Sequence, residues 1–179
     1  SISIVSPALA KANNGNWHTA RRWAQCLAAR ARVRIELDWS GAGDSMMIAL
    51  HARRSAHSIA RFSEVYPQRP LVLVLTGTDL YRDIRIDPQA QHSLTLATRI
   101  VVLQSEGIGE LEESLAAKAT VIYQSARSLV PGRRSKRHFD LVLVGHQRPE
   151  KDPLTALRAL RLVPADIPVR LFHIGAALD

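Results

Sequence analysis

Ionisable residues crowd the stretch VGHQRPEKDP, residues 144–153, which joins a hydrophobic strand to a predicted helix. Gly145 ends the strand, and Asp152 and Pro153 have the residue types of a helix N-cap and a first helical position. The ionisable residues between them are His146, Arg148, Glu150 and Lys151. Free backbone N–H groups at a helix start, with basic side chains beside it, favour an anion such as phosphate. An ordinary turn with solvated charges explains the same residues equally well.

A second basic stretch, LHARRSAHS at residues 50–58, follows another predicted strand. Open α/β sheets bind their ligands beyond the carboxyl ends of the strands. His51 and the adjacent pair Arg53 and Arg54 therefore suit an anionic substrate. A solvated loop with one satisfied histidine is the alternative interpretation.

The stretch LTGTDLYRD, residues 75–83, ends the next predicted strand. Thr78 and Asp79 lie where a substrate would bind. Asp79 has the chemistry of a base or of a ligand for a sugar hydroxyl, and it has equally the residue type that caps a following helix.

The stretch KANNGNWHTARRW, residues 11–23, joins the first predicted strand to the first predicted helix. Gly15 and Asn16 permit a ligand to approach the backbone closely, and a plain capped loop is the alternative. The stretch lacks G-x-G-x-x-G, so it does not support a dinucleotide-binding turn. The chain also lacks zinc-ligand spacing, a P-loop and a nucleophile elbow, so we expect no metal and no bound cofactor.

Short apolar runs position these stretches, because several are apolar throughout, as strands buried on both faces of a parallel sheet are. Only Val33–Leu37 alternates, as an edge strand would. The predicted strands are 2–5, 33–37, 46–50, 71–75, 100–103, 120–123, 139–144 and 169–174. Helical spacing predicts helices over 17–30, 56–66, 108–118 and 153–162. Strands that alternate with helices predict an α/β, Rossmann-like parallel sheet.

The basic segment RSLVPGRRSKRH marks a change of organisation. We predict a Rossmann-like domain at residues 1–126, a linker at 127–138, and the first βαβ unit of a second Rossmann-like domain at 139–179. The linker has no interleaved aromatic residues, so a solvated segment is a better interpretation than a nucleic-acid patch.

The composition indicates a partner that carries negative charge, because 24 Lys and Arg against 16 Asp and Glu give a net charge of +8. The single cysteine, Cys26, cannot form an internal disulfide, and we expect it to be buried. The N-terminus does not resemble a signal peptide, and no apolar run has the ~20 residues of a membrane helix. We therefore expect a soluble, cytoplasmic protein that does not bind membranes.

Taken together, these motifs resemble the GT-B glycosyltransferases of the family 4 type. In that family the second domain opens with a Gly-Arg-Leu…Glu-Lys-Gly signature whose basic residues bind the diphosphate of a nucleotide-sugar donor. Gly145, Glu150 and Lys151 match this signature. His146 stands where the signature has Arg, and Arg148 follows two positions later, so either side chain could take that role.

A narrower resemblance extends over nearly the whole chain, through NGNW.TA.RWA, LHARRSA, VLTGTDLYRD, VIYQSA and VGH.RPEKDP. It is to a branch of selenosugar synthases of selenoneine biosynthesis. The resemblance implies transfer from a UDP-sugar, UDP-N-acetylglucosamine in that branch, to an anionic acceptor, selenophosphate, without a metal.

The resemblance also implies roles for the residues named above. Lys151 and Arg148 would stabilise the leaving diphosphate. Donor-binding residues would be Gly15, Asn16, Gly145, His146 and Glu150. Acceptor-binding residues would be His51, Arg53, Arg54, Thr78 and Asp79. The family's later acidic motif would lie beyond Asp179, so we expect an incomplete second domain that binds UDP-sugar weakly.

Two alternatives stay open at the level of sequence. One is a basic Rossmann-like module that holds a nucleotide or nucleic acid without turnover. The other is a nucleotide-sugar epimerase with the GT-B fold. The sequence does not decide the oligomeric state or the anomeric configuration of the product.

Overall fold

The computed structural model describes residues 1–133, 135–147 and 151–176. It divides the chain into two compact units, Ser1–Arg127 and Ser128–Asp179. Both units are α/β in composition, and each is described by itself below. None of the helices in the described part of the chain is long and apolar enough to cross a membrane.

A six-stranded sheet, parallel throughout, forms the centre of the first unit, as the apolar runs predict. Its strands are β1 (Ile2–Val5), β2 (Val33–Glu36), β3 (Met46–Leu50), β4 (Leu71–Val74), β5 (Arg99–Val102) and β6 (Ala119–Val121). Their order across the sheet is β2-β1-β3-β4-β5-β6, so the alternating strand β2 does lie at an edge. Since all the strands are parallel, the loops that follow them open at one carboxyl edge.

Helices cover the sheet on both faces. They are α1 (Gly15–Leu27), α2 (Ala56–Val65), α3 (Ile84–Ile86), α4 (Pro88–Leu96) and α5 (Glu113–Ala116). Ile4, Ile48 and Val74 point to the face that carries α1, through Ala20 and the half-buried Trp23. Val5, Ala49 and Leu73 point to the other face and pack with Phe62 of α2 and Leu94 of α4. Successive strand residues therefore alternate between two apolar layers, which is why these strands read as apolar throughout.

Two expectations about this unit are wrong. The predicted helix over 108–118 is a 3-10 helix, Ser105–Glu110, followed by the short α5. Leu111 and Glu112 have extended backbone angles, with ψ of 145° and 153°, and these angles interrupt the predicted helix. Cys26 is exposed on α1 and does not pack in the core.

The helical segment after β4 was not predicted from the sequence. A π-helical stretch, Asp79–Asp83, leads into α3 and then α4. The start of α4 has the same signal as the helix at Asp152, because Asp87 caps the N–H of Ala90 at 3.0 Å and Pro88 opens the helix.

A buried carboxylate organises the amino edge of the sheet. Asp44 is fully buried, and it accepts hydrogen bonds from Arg34 at 2.6 Å and from the indole N–H of Trp39 at 3.3 Å. Trp39 in turn packs edge-to-face against Phe62 and Tyr66, with ring centroids 5.3 and 5.8 Å away. The ion pair and the aromatic cluster thus fix the segment between β2 and β3 against α2.

The second unit contains β7 (Phe139–Val144), α6 (Pro153–Leu160) and β8 (Val169–Ile174). The two strands pair in parallel, with Phe139 opposite Val169 and Val144 opposite Ile174, so the described part is one βαβ unit. Asp152 caps α6 by accepting from the N–H and hydroxyl of Thr155, and Pro153 occupies the first turn, as the sequence predicts. In the segment before β7, Arg133, Lys136 and Arg137 are exposed, and Arg134 lies outside the described residues.

We predict that Asp44→Ala lowers the free energy of unfolding by about 1–3 kcal/mol, because it leaves the buried indole N–H of Trp39 without an acceptor. Urea denaturation followed by Trp fluorescence measures this loss. Glu64→Ala, at an exposed position of α2, is the matched control. Equal stability of the two variants would contradict the structural role of Asp44.

Candidate functional site

The carboxyl edge of the first sheet gathers the polar loops that the sequence analysis singled out. His51 follows β3 directly, Thr78 and Asp79 follow β4, and Gly15 opens α1 after β1. Because β1, β3 and β4 are neighbouring parallel strands, these residues share one edge. They nevertheless form two separate sets of hydrogen bonds, one around His51 and one around α1.

His51 lies at the centre of the first set. It is only 2% exposed and has a φ of 73°, which residues other than glycine adopt rarely. Its Nδ1 accepts from the backbone N–H of Arg54 at 3.4 Å, and its Nε2 lies 3.3 Å from the hydroxyl of Thr78. Since Nδ1 accepts, a neutral ring carries its proton on Nε2 and donates it to Thr78. Backbone strain of this kind clusters at functional sites.

Asp79 joins the loops after β3 and β4. Its carboxylate is fully buried and accepts from the N–H of Ala52 at 3.0 Å and from the N–H of Thr76 at 2.9 Å. Its side chain therefore does not cap the following helix, contrary to one of the two alternatives. The carboxylate is buried, and its role toward the acceptor stays a prediction.

Arg53 forms an ion pair with Asp83. Its Nε donates to Asp83 at 2.8 Å and lies 4.0 Å from Asp87. Asp83 is buried and accepts a second hydrogen bond from Arg82 at 3.0 Å. Arg53 and Arg54 therefore differ in their surroundings, because Arg53 pairs with a buried acid through Nε while its side chain stays 39% exposed, and Arg54 is exposed. Thr78 is also exposed, so solvent reaches Arg53, Arg54 and Thr78 among the predicted acceptor residues.

The titration behaviour of this cluster follows from burial and from its ion pairs. Burial lowers the pKa of His51; Asp79 and Asp83 oppose the effect, and the two neighbouring arginines add to it. Burial alone would raise the pKa of Asp83, but the hydrogen bonds from Arg53 and Arg82 outweigh it and lower that pKa. The cluster therefore holds a neutral imidazole beside an ionised carboxylate.

The second set of hydrogen bonds lies along α1. Gly15 and four other residues of this helix line a cavity with two residues that follow β6. The lining residues are Gly15, His18, Thr19, Arg22, Trp23, Gln124 and Ser125. Asn16 is half-buried in the same first turn but does not line the cavity.

The loop after β7 in the second unit depends on two glycines. Gly145 has a φ of 149°, and a Cβ there would lie 3.6 Å from the side chain of Lys151. Any Cβ on Gly175, at the end of β8, would overlap the carbonyl oxygen of Gly145. The ends of the two strands thus approach so closely that only glycine fits at residue 175.

Two histidines fix the loop around these glycines. His173 Nε2 lies 2.8 Å from the carbonyl oxygen of Gly145 and donates to it, which leaves Nδ1 to accept from the side chain of Gln147 at 3.1 Å. His146 Nδ1 accepts from the backbone N–H of Ala176 at 3.1 Å. The neutral ring of exposed His146 therefore presents its Nε2–H to solvent as a donor.

Lys151 is exposed and lies beside Gly145, immediately before the cap of α6. The predicted residues Arg148 and Glu150 lie outside the described residues. Of the residues predicted in this loop, the structure thus describes Gly145, His146 and Lys151.

Several residues that hold these loops were given no role from the sequence. Asp83 closes the stretch LTGTDLYRD, four residues after Asp79. Gln124 and Ser125 lie in the motif VIYQSA, but the motif does not reveal their contacts, because their partners Thr19 and Arg22 are about a hundred residues earlier in the chain. His173 and Gln147 likewise meet only through the pairing of β7 with β8.

We predict that the unfolding free energy falls more steeply with acid in the wild type than in His51→Asn. The pKa of His51 is lowered by folding, so the unfolded chain takes up a proton near pH ~6.5 while the folded chain resists it. Stability from this residue is present above that pH and is lost below it. Asn tolerates the positive φ and does not titrate.

Urea denaturation at pH ~7.5 and ~5.5 compares the two slopes, which differ by at most about 1.4 kcal/mol per pH unit for one proton. His92→Asn, at an exposed position of α4, controls for the loss of a histidine in general. Parallel pH dependence in the wild type and His51→Asn would refute the burial effect.

We predict that Gly175→Ala opens the carboxyl ends of β7 and β8. The added methyl group must displace the Gly145 carbonyl, and this weakens the hydrogen bond from Gly145 N–H to Ile174. Amide hydrogen exchange at Gly145 should then become about tenfold faster or more. Gly132→Ala is the control, because a Cβ there meets nothing within 4 Å. Unchanged exchange in Gly175→Ala would contradict the close approach.

Among the residues that the structure describes, no group of three or more His, Cys, Asp or Glu side chains could hold a metal ion. No model of a known protein family matches this chain, and no curated protein matches its sequence. The function proposed below therefore rests on the residues of this chain and on the resemblance of its motifs.

Proposed function

We propose that this protein belongs to the GT-B glycosyltransferases and transfers a sugar from a UDP-sugar, UDP-N-acetylglucosamine, to an anionic acceptor such as selenophosphate. The observation that carries the proposal is the loop after β7. In this loop Gly145 has a positive φ, and His146 offers a hydrogen-bond donor. Lys151 lies beside Gly145 and directly precedes the cap of α6. This combination suits a diphosphate, and it falls on the motif VGHQRPEKDP that resembles the family's donor signature.

On the donor side, Lys151 is the residue that acts on the leaving group. Gly145 has a positive φ, and because it has no side chain the Lys151 stem lies beside it. Its ammonium can then neutralise charge that builds on the β-phosphate as the sugar departs. His146 Nε2–H supplies a second donor in the position of the signature Arg.

On the acceptor side, we propose that Arg54 and Thr78 bind the anion. Arg54 is exposed, and its backbone N–H is tied to His51. Thr78 accepts from His51 Nε2, so its hydroxyl hydrogen is free to donate to an oxyanion. Arg53 pairs with Asp83, and Asp79 accepts from backbone N–H groups, so both side chains support these loops.

The reaction needs neither a redox partner nor a strong base. The bond between the sugar C1 and the diphosphate oxygen breaks, and UDP leaves with the electron pair. A selenium lone pair of selenophosphate forms the new bond to C1, and the phosphorus stays on selenium in this step. Because the acceptor is already anionic, no proton has to be removed from it. The buried, backbone-bonded Asp79 is consistent with that requirement.

The rival proposal is a basic module that binds nucleic acid without turnover. Such a module would present its cations on one outer face. In the first unit, Arg34 and Arg69 contact Asp44 at the amino edge of the sheet, whereas Arg53 and Arg54 lie at the carboxyl edge. This division between opposite edges favours the enzyme.

We predict that Lys151→Ala in the full-length protein lowers turnover by about 10²–10³, which corresponds to roughly 2.7–4 kcal/mol of barrier for the loss of one such donor. Binding of the UDP-sugar should weaken less, because the contact strengthens as charge develops on the leaving group. UDP release and equilibrium binding measure the two effects.

Arg158→Ala, also exposed and on α6, is the control and should leave turnover within about twofold, because exposed charges are screened. Melting temperatures of both variants check the fold. Unchanged turnover in Lys151→Ala would remove the donor assignment.

A further inference from the structure

Strand β2 leaves one side of the six-stranded sheet open. It is the last strand in the sheet order and pairs with β1 on its inner side. In the part of the chain that the structure describes, no strand pairs with its outer side. All four residues of β2 are half-buried, whereas all four residues of β1 are buried. An open strand of this kind presents unpaired backbone N–H and C=O groups, with which another strand can pair.

The backbone groups on the outer side belong to Val33, Ile35 and Leu37. The carbonyls of Arg32 and Glu36 face inward, because they accept hydrogen bonds from β1 and the residue after it at 2.8 and 2.9 Å. The C=O and the next N–H of a trans peptide point in opposite directions, so the N–H groups of Val33 and Leu37 face outward. Because the direction alternates along a strand, the C=O of Val33 and both backbone groups of Ile35 face outward too.

The outer side of β2 is self-complementary about Ile35. An antiparallel copy related by a twofold axis at Ile35 places Ile35 opposite itself and Leu37 opposite Val33 of the second copy. The two Ile35 residues then exchange two hydrogen bonds, and each Leu37 N–H donates to the Val33 carbonyl of the other copy. All four hydrogen bonds use groups that already face outward in the single chain.

The charged side chains of β2 match in the same register. Arg34 and Glu36 lie on either side of Ile35, so Arg34 of one copy comes opposite Glu36 of the other. This is a non-hydrogen-bonded position, where the Cα atoms of an antiparallel pair are about 4.5 Å apart and opposite charges stabilise the pairing. Within one chain the two side chains lie 3.8 Å apart, so pairing would join four charges of alternating sign.

The same charges do not block the outer side of β2. Free charged side chains protect many open strands from pairing. In β2, however, both charged side chains are bonded over the face of the sheet. Arg34 donates to the buried Asp44 at 2.6 Å, and Glu36 accepts from the hydroxyl of Ser3 at 2.6 Å. The outward backbone groups therefore stay accessible to a second strand.

We infer that a second copy of this chain pairs with β2, antiparallel and in register at Ile35, so that the two six-stranded sheets become one continuous sheet. The inference goes beyond the proposed function and does not depend on the transfer reaction. A strand of four residues makes a small contact, so we expect a weak dimer with a Kd of roughly 10–100 µM.

Sedimentation velocity of the 179-residue chain between about 1 and 500 µM, a range that spans this Kd, measures the association. A reductant prevents the exposed Cys26 from linking two copies. Leu37→Lys adds a lysine of the kind that protects natural open strands, and it should weaken dimerisation about tenfold or more. Because Leu37 is 50% exposed, the melting temperature of the variant should match that of the wild type.

Val65→Lys is the matched control, because Val65 is 55% exposed at the end of α2 and gains the same charge. It should change the dimerisation constant by less than about twofold.

Amide hydrogen exchange at single-residue resolution tests the register. Raising the concentration from about 1 to 500 µM should slow exchange at Ile35 and Leu37 about threefold or more, since the dimer protects these outward N–H groups. Exchange at Arg34 and Glu36 should not change, because their N–H groups face β1 in the single chain as well. Slowing at alternate residues is specific to pairing along this side of β2.

Two results overturn the inference. One is a monomer at every concentration up to about 500 µM, well above the Kd expected. The other is an association that Leu37→Lys leaves unchanged or that does not slow exchange at Ile35, since the contact would then lie elsewhere on the chain. Neither measurement involves a nucleotide sugar, so failure of this inference is distinguishable from failure of the proposed function.

Discussion

The parallel direction of all six strands is the constraint on which the chemistry of the first unit depends. It sends the loops after β1, β3 and β4 to one edge, although up to about sixty residues separate them in sequence. The buried carboxylate of Asp79 then joins two of these loops by accepting a backbone N–H from each. A buried acid with both oxygens satisfied is stable only while both loops keep their positions, so it makes them one rigid support.

Acids and cations have different tasks at this edge. The carboxylates of Asp79 and Asp83 are buried and used up by backbone N–H groups and by Arg53 and Arg82, as buried charges must be. Arg54, which lies beside them, is exposed. An edge whose carboxylates are buried and hydrogen-bonded is poorly suited to general-base catalysis. The proposed transfer to an anionic acceptor is consistent with this balance.

Local patterns predict much of the fold. Apolar runs placed the strands of the described residues within two residues of their observed ends, and Asp152 with Pro153 placed the start of α6. The same signal at Asp87 and Pro88 was overlooked. Local patterns do not predict contacts between distant segments. The burial of Asp79, the ion pair of Arg53 with Asp83, and the bonds from Gln124 and Ser125 to α1 depend on how strands are ordered in the sheet.

The activity that we propose is sugar transfer from a nucleotide donor to an anionic acceptor. Its most direct test incubates the full-length protein with a panel of UDP-sugars, with and without selenophosphate, and follows UDP release together with the mass of the selenium product. We expect UDP release that requires selenophosphate, a sugar–selenium product in equal amount, and a preference for UDP-N-acetylglucosamine. Nucleotide or nucleic-acid binding without UDP release from any donor would contradict it, as would conversion of the donor to an epimer without an acceptor.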